Sequence, residues 1–231
     1  MDQQALKRGA AEAALAEVEE HGIVGVGSGS TVDAFIDVLA RSMLPVKGVI
    51  AASAASERLL HARGLPVLGL ADIDRLPVYI DGADEIDPQL NLIKGGGGAL
   101  TREKVLAELS ERFICIADAS KRVERLGRFP LPIEVVSYAR SFVARRLVAL
   151  GGQPVWRQDY LTDNGNPILD VHGLQLDAPL QIERTLEALP GVVTVGIFAR
   201  RRPELALIAA PEGVLALPRP AAASAAPAAG G

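Results

Sequence analysis

Three stretches of the chain concentrate residue types that could do chemistry. Asp81-Gly82-Ala83-Asp84-Glu85-Ile86-Asp87 carries four carboxylates within seven residues. They repel one another, so a metal, a donor-rich ligand or solvent must offset the cost. The spacing is not that of a calcium loop, since glycine stands second and no distant bidentate Glu is correctly placed. Asp81 and Asp84 are expected to face a ligand, and Glu85 and Asp87 to sit at the rim or cap a helix. A second stretch, Lys94 to Lys104, sets a lysine before four consecutive glycines and places Glu103 on the first turns of the following helix. A glycine run carries an entropic cost and adds nothing to a core, so close approach to a ligand explains it better than a linker does. A carboxylate and an ammonium would then flank one glycine-lined pocket, although Glu103 could also simply face the helix dipole.

The third stretch is Gly25 to Thr31, GVGSGST. Its glycines let backbone N–H groups approach an anion, and a helix starting near Thr31 adds its positive end. Ser30 stands where the dinucleotide pattern G-x-G-x-x-G needs glycine, and the G-K-[ST] of a nucleotide P-loop is missing. A small phosphate is the natural occupant; a plain turn capped by Ser30 is the alternative.

These loops need elements to hold them. Gln3 to His21 has helical spacing and stops at Gly22; Ile23 to Val26 reads as a strand, and a helix follows Thr31. Strands are expected at Val46 to Ala51, Val67 to Leu70, Val78 to Ile80 and Phe113 to Ala117, with helices at Ser53 to Arg63 and Ala99 to Leu109. Such alternation implies an α/β fold, a mainly parallel sheet covered by helices, with ligands bound outside the carboxyl ends of its strands. Beyond Pro130 come strands at Ile133 to Val136, Val155 to Gln158, Ile168 to Val171, Val192 to Phe198 and Leu205 to Ala209, with helices at Tyr138 to Leu150 and near Leu180 to Leu189. They suggest a smaller α+β lobe. The expected division is a catalytic α/β domain over 1–130, the small lobe over 131–207, a return to the main domain over 208–217 and a disordered Ala/Pro-rich tail over 218–231.

Composition narrows the function. A net charge of -4, with 5 Phe, 3 Tyr and 1 Trp, argues against nucleic-acid binding, which needs a basic surface and usually stacking rings. The 23 glycines favour sites built from backbone. Cys115 is the single cysteine, so neither an intramolecular disulfide nor a cysteine zinc site is expected, and it reads as a buried small hydrophobe. His21, His61 and His172 lack metal-ligand spacing, and Trp156 reads as packing or interface. With neither a signal-peptide pattern nor an apolar run long enough to span a bilayer, a cytoplasmic protein without membrane association is expected.

Taken together, GVGSGST, YIDGADEID, LIKGGGGALTREK and the later LTDNGNPILDV resemble the type A ribose-5-phosphate isomerase family, from about Lys7 to near Val214. The resemblance implies a Rossmann-like α/β domain with a smaller α+β lobe, a homodimer or homotetramer, and no metal or organic cofactor. It also implies interconversion of ribose 5-phosphate and ribulose 5-phosphate in the non-oxidative pentose phosphate branch. Carried over by motif, Glu103 is the general base, with Asp81, Asp84 and Lys94 as the other catalytic groups. Substrate-binding positions are Ser28, Gly29, Ser30, Thr31, Asp81, Gly82, Ala83, Asp84, Lys94, Gly95, Gly96, Gly97 and Lys121, with Lys7 near the phosphate. Asp81 is expected at ring opening and Asp84 at hydroxyl positioning or proton relay. A sugar-phosphate sensor and an acyl or CoA transferase are the competing readings. Retention of all four catalytic groups speaks against the first, and two phosphate-suited loops against the second.

Overall fold

The computed structural model describes residues 3–221. Its elements run α1 (Gln3–Leu15), β1 (Ile23–Val26), α2 (Ser30–Arg41), β2 (Gly48–Ala51), α3 (Ala54–Ala62), β3 (Leu76–Asp81), β4 (Glu85–Ile86), β5 (Leu92–Ile93), α4 (Leu100–Leu109) and β6 (Ser110–Asp118). There follow β7 (Leu131–Val135), α5 (Arg140–Ala149), β8 (Gln153–Trp156), β9 (Ile168–His172), α6 (Pro179–Glu187), β10 (Val192–Val195), β11 (Ile197–Phe198), β12 (Leu205–Ala210) and β13 (Gly213–Pro218).

Six strands form the large sheet in the order β13-β12-β6-β3-β1-β2, parallel except for the β12–β13 hairpin. The period of two sorts the side chains of β6: Ile114 and Ile116 join the core under α1 and α2, while Phe113, Cys115 and Ala117 join the core under α4. α2 buries Val32, Phe35, Ile36 and Leu39, the spacing of one helix face. α4 buries Leu100, Leu106 and Ala107, but also Glu103 and Lys104, so two charges occupy positions an ordinary helix gives to apolar residues. Between β6 and β12 the chain builds a four-stranded antiparallel sheet, β10-β7-β9-β8, whose core includes Val143 and Leu147 of α5 and Leu186 of α6. A third sheet, β11-β5-β4, contributes to two cores, with Ile86, Leu92 and Phe198 in the one under α4 and Ile93 and Ile197 in that of the four-stranded sheet. β12 runs in the large sheet from Leu205 onward.

From β1 the chain turns to β2 on one side and then returns to β3 on the other. The order of winding therefore reverses between β1 and β3, where a crevice opens at the carboxyl edge.

Several elements differ from expectation. α1 ends at Leu15, not His21; the chain continues in three-residue turns such as Val18 N–H to Leu15 O, and His21 takes a φ of 58°. Val67 to Leu70 is not a strand: Val67 makes one bridge to Val49, then Gly69 N–H turns back onto the Asp72 carboxylate. The run Val192 to Phe198 is broken at Gly196, which donates to Pro132 O and accepts from Lys94 N–H, passing the chain from one sheet to the next. Any side chain there would stand 2.3 Å from the Lys94 carbonyl. Gly213–Pro218 forms the edge strand β13, so Pro218 ends a hairpin where the tail was expected to begin. Residues 222–231 of the expected tail lie outside the described residues.

Candidate active site

The loops after β1 and β3 meet through Asp81. Its carboxylate packs so tightly against Gly27 that a methyl group there would lie 1.8 Å from it, which is why the first loop needs glycine at that position. Asp81 Oδ1 accepts from the N–H groups of Ser28 (3.2 Å) and Gly82 (2.7 Å). Oδ2 accepts from the Tyr79 hydroxyl and from Lys94 Nζ at 2.7 Å. Tyr79 and Asp81 alternate onto the same face of β3, so the pair is a product of strand period. Burial holds the Tyr79 phenol far above its ordinary pKa, with the negative charges of Asp81 and Glu103 adding to the effect.

Lys94 follows β5 and is almost wholly buried. An ammonium has three donors. One goes to Gly82 O at 2.8 Å and one to Asp81, leaving the third on the side of Glu103, whose Oε2 is 3.2 Å away. Burial alone would lower its pKa, but Asp81 and Glu103 outweigh it and hold Lys94 charged above its ordinary value.

Glu103 enters from the first turn of α4 and is 2 % exposed. Oε1 accepts from Ser28 Oγ at 2.6 Å, and Oε2 is buried with Lys94 Nζ 3.2 Å away as its ion-pair partner. Burial first, and the negative charge of Asp81 second, raise its pKa to about 7 against the pull of Lys94 and the Ser28 hydrogen bond. A carboxylate so tuned is half ionised near neutral pH, where a general base works best.

Above this floor lies a cavity of about 140 Å³ lined by Ser28, Gly29, Ser30, Thr31, Gly82, Ala83, Asp84, Lys94, Gly95, Gly96, Gly97, Glu103 and Lys121. Two expected site residues are not in its wall. Asp81 lies beneath it at 0 % exposure, with both oxygens engaged. Lys7 stands outside, donating to Ser30 Oγ at 2.8 Å. Asp84 faces the cavity and accepts from Gly96 N–H at 2.8 Å. Ser30 is the first residue of α2 and does not cap it, so the helix N-terminus is open to the cavity. Lys121 is presented by the turn Ala119–Lys121, which Asp118 caps by accepting from Ser120 N–H at 2.9 Å. Glu85 is neither rim nor cap: its buried carboxylate takes the N–H groups of Gly127 and Phe129 at 2.7 and 2.6 Å. Asp87 does close a turn, through the N–H groups of Gln89 and Asn91.

The motif LTDNGNPILDV supports the site from outside. Thr162, Asn164 and Asn166 converge on Glu134 Oε1 at 2.9, 3.2 and 2.9 Å, and Thr101 of α4 donates to the other oxygen, so this loop steadies the helix that carries Glu103. Sequence reasoning assigned no role to Tyr79, Asp118, Glu134, Arg157 or Tyr160. Only Tyr79 left a signal, two places before Asp81 in a strand. Cys115 is buried and its thiol is pushed up to about 12 by burial, as suits a packing residue. Trp156 packs under the Arg140 guanidinium, 3.8 Å from the ring centroid. Among the described residues no group of three or more His, Cys, Asp and Glu is placed to share a metal ion. No helix of the described residues is long and apolar enough to cross a membrane. A wider cleft of about 680 Å³, lined in part by Leu68, Leu70 and Val105, runs along another side of α4.

Sheet order and cavity place the chain among the doubly wound α/β proteins that bind a ligand at the reversal of strand order. The family model for ribose 5-phosphate isomerase A (phosphoriboisomerase A) matches residues 48–213. The chain is 54% identical over 224 residues to ribose-5-phosphate isomerase A of Bordetella petrii, covering 95% of this chain and 100% of that one. It is 55% identical to the Bordetella bronchiseptica protein of the same name, covering 95% and 99%. The crystal structure of ribose 5 phosphate isomerase A from Neisseria gonorrhoeae superposes with a TM-score of 0.94 at 46% identity, covering 95% and 99% of the two chains. A D-ribose-5-phosphate isomerase in complex with phospho-erythronic acid superposes at 0.91 with 34% identity, covering 95% and 100%. The chain belongs to the ribose 5-phosphate isomerase A family.

Proposed function

We propose that this chain interconverts D-ribose 5-phosphate and D-ribulose 5-phosphate through an enediolate, a reading that its membership of a ribose 5-phosphate isomerase family supports. The observation that carries the reading is Glu103: a buried carboxylate whose pKa is raised to about 7, one oxygen bonded to Ser28 and the other paired with the charged Lys94, at the floor of a small polar cavity. Moving a proton between adjacent carbons needs such a base and an electrophile for the developing oxyanion.

Glu103 takes the proton from C2 and returns it at C1. The Lys94 donor on that side, with N–H groups of the glycine loop, stabilises the oxyanion. The open N-terminus of α2 at Ser28 to Thr31, together with Lys121, holds the phosphate and supplies remote binding energy that positions the reacting carbons. Ring opening falls to Asp84, which faces the cavity, and not to Asp81 as expected from sequence, because every Asp81 oxygen is already engaged. Asp81 acts through Lys94, fixing its charge and place. Lys7 steadies Ser30 from outside.

We further propose a homodimer in the cytoplasm. The large apolar side chains Tyr138, Phe142 and Val155, exposed on the small lobe, support a partner surface, and the single, buried cysteine suits a reducing compartment.

A coupled assay for ribulose 5-phosphate formation, run with and without EDTA, tests the reading. Turnover insensitive to EDTA is expected; no turnover would favour a sugar-phosphate sensor.

A further inference from the structure

We infer that Arg157 and Tyr160 of the small lobe are positioning residues for the oxyanion, aiming the Gly97 N–H into the cavity by gripping the glycine loop from behind. The inference deepens the isomerase reading and rests on it.

Arg157 is fixed first. Its Nε and Nη2 form a fork on Asp170 at 2.9 and 2.6 Å, which sets the guanidinium plane. The same group then donates to Gly96 O at 3.2 Å and to Gly95 O at 3.4 Å. Tyr160, whose ring centroid lies 5.3 Å from the guanidinium, donates its hydroxyl to Gly97 O at 2.8 Å. Two side chains of the small lobe thus hold three successive carbonyls of the loop.

The consequence follows from peptide geometry. In a planar trans peptide the C=O and the next N–H point in opposite directions. With Gly96 C=O turned toward Arg157, Gly97 N–H points to the opposite side. That side is the cavity, which Gly97 lines together with Ser28 and Glu103, a methyl group on Gly97 lying 3.6 Å from the Ser28 hydroxyl that is bonded to Glu103. The neighbouring donors are spoken for, since Gly96 N–H serves Asp84 and Gly98 N–H closes a turn onto Gly95 O. Gly97 N–H has no acceptor among the described residues. A cationic guanidinium on the carbonyl of the same peptide also polarises that N–H and strengthens it as a donor.

The arrangement accounts for the fourth glycine as well. Gly98 has a φ of 80°, and a Cβ there would fall 1.9 Å from the Tyr160 hydroxyl, so only glycine lets the tyrosine reach the loop. Helix α4 brings the base and the small lobe sets the oxyanion donor.

The test uses the full chain with Tyr160→Phe and Arg157→Met. Both residues are partly exposed, so each variant is expected to fold. The readouts are kcat and KM for ribose 5-phosphate, and Kd for phospho-erythronic acid and for inorganic phosphate. Phospho-erythronic acid carries a carboxylate where the enediolate oxygens would form. A displaced donor should lower kcat by about tenfold to a hundredfold. KM should stay within about threefold. Phospho-erythronic acid should weaken with kcat, inorganic phosphate should bind unchanged, and Arg157→Lys, which keeps charge but loses the fork, should recover only part of the rate. Unchanged kcat, an effect confined to KM, or equal weakening of inorganic phosphate would overturn the inference. A wild-type chain inactive in the same assay would instead overturn the functional reading beneath it.

Discussion

Ser28 Oγ donates to Glu103 Oε1 at 2.6 Å, joining the glycine loop after β1 to the buried carboxylate on α4 across 75 residues of chain. The hydroxyl favours the ionised carboxylate, opposing the burial that raises its pKa. Ser28→Ala should therefore move the acid limb of the kcat/KM profile to higher pH and lower activity most below neutrality. A pH–rate series measures this; an unmoved limb would separate Ser28 from the tuning of Glu103.

Lys94 lowers the Glu103 pKa and neutralises Asp81. Lys94→Gln should thus act twice, removing the proposed oxyanion donor and leaving Glu103 more protonated at neutral pH. The loss should appear in kcat at every pH, about a hundredfold or more where a comparable donor is removed, with an acid limb displaced upward. An effect on KM alone would make Lys94 a binding group.

Glycines of the same pocket should differ in what they tolerate. At Gly27 a methyl group meets the Asp81 carboxylate, whereas at Gly82 the nearest atoms are 3.8 Å away. Gly27→Ala should cost about 3 kcal/mol or more, the upper range of overpacking, and should disturb the Asp81–Lys94 pair. Gly82→Ala should remain close to wild-type stability. Urea unfolding of the two variants makes the comparison.

A raised carboxylate also leaves a mark on stability. Between the ordinary value of 4.5 and about 7 the folded chain binds more protons at Glu103 than the unfolded chain does. The contribution of this group to stability therefore falls as pH rises through that window. Glu103→Gln, a neutral mimic of the protonated form, should escape the fall and be the more stable protein above pH 7, by the order of a few kcal/mol. Thermal melts at pH 5 and 8 test the sign; a variant less stable at pH 8 than at pH 5, relative to wild type, would contradict it.

The sequence shows the polar groups that line the cavity more clearly than the frame that holds them. Glu103, Lys94 and Asp84 stand in short motifs whose residue types have no comfortable place in a core, so their chemistry is visible locally. Arg157 grips Gly95 from 62 positions away, and Glu134 gathers donors from two separate segments, so nothing near either residue announces its partner. Asp81 is expected from sequence to face a ligand, yet it lies beneath the cavity wall, because its burial depends on Gly27 and Tyr79 packing against it from other positions. Edge strands were harder still. Val67 to Leu70 has strand composition yet curls away after one bridge, and Gly213–Pro218 pairs only because β12 offers an edge.

The central claim is that Glu103 moves the proton. Steady-state kinetics of Glu103→Gln on ribose 5-phosphate tests it most directly. The predicted result is a kcat lower by roughly 10²–10⁴ with little change in KM; turnover near that of the wild type would contradict it.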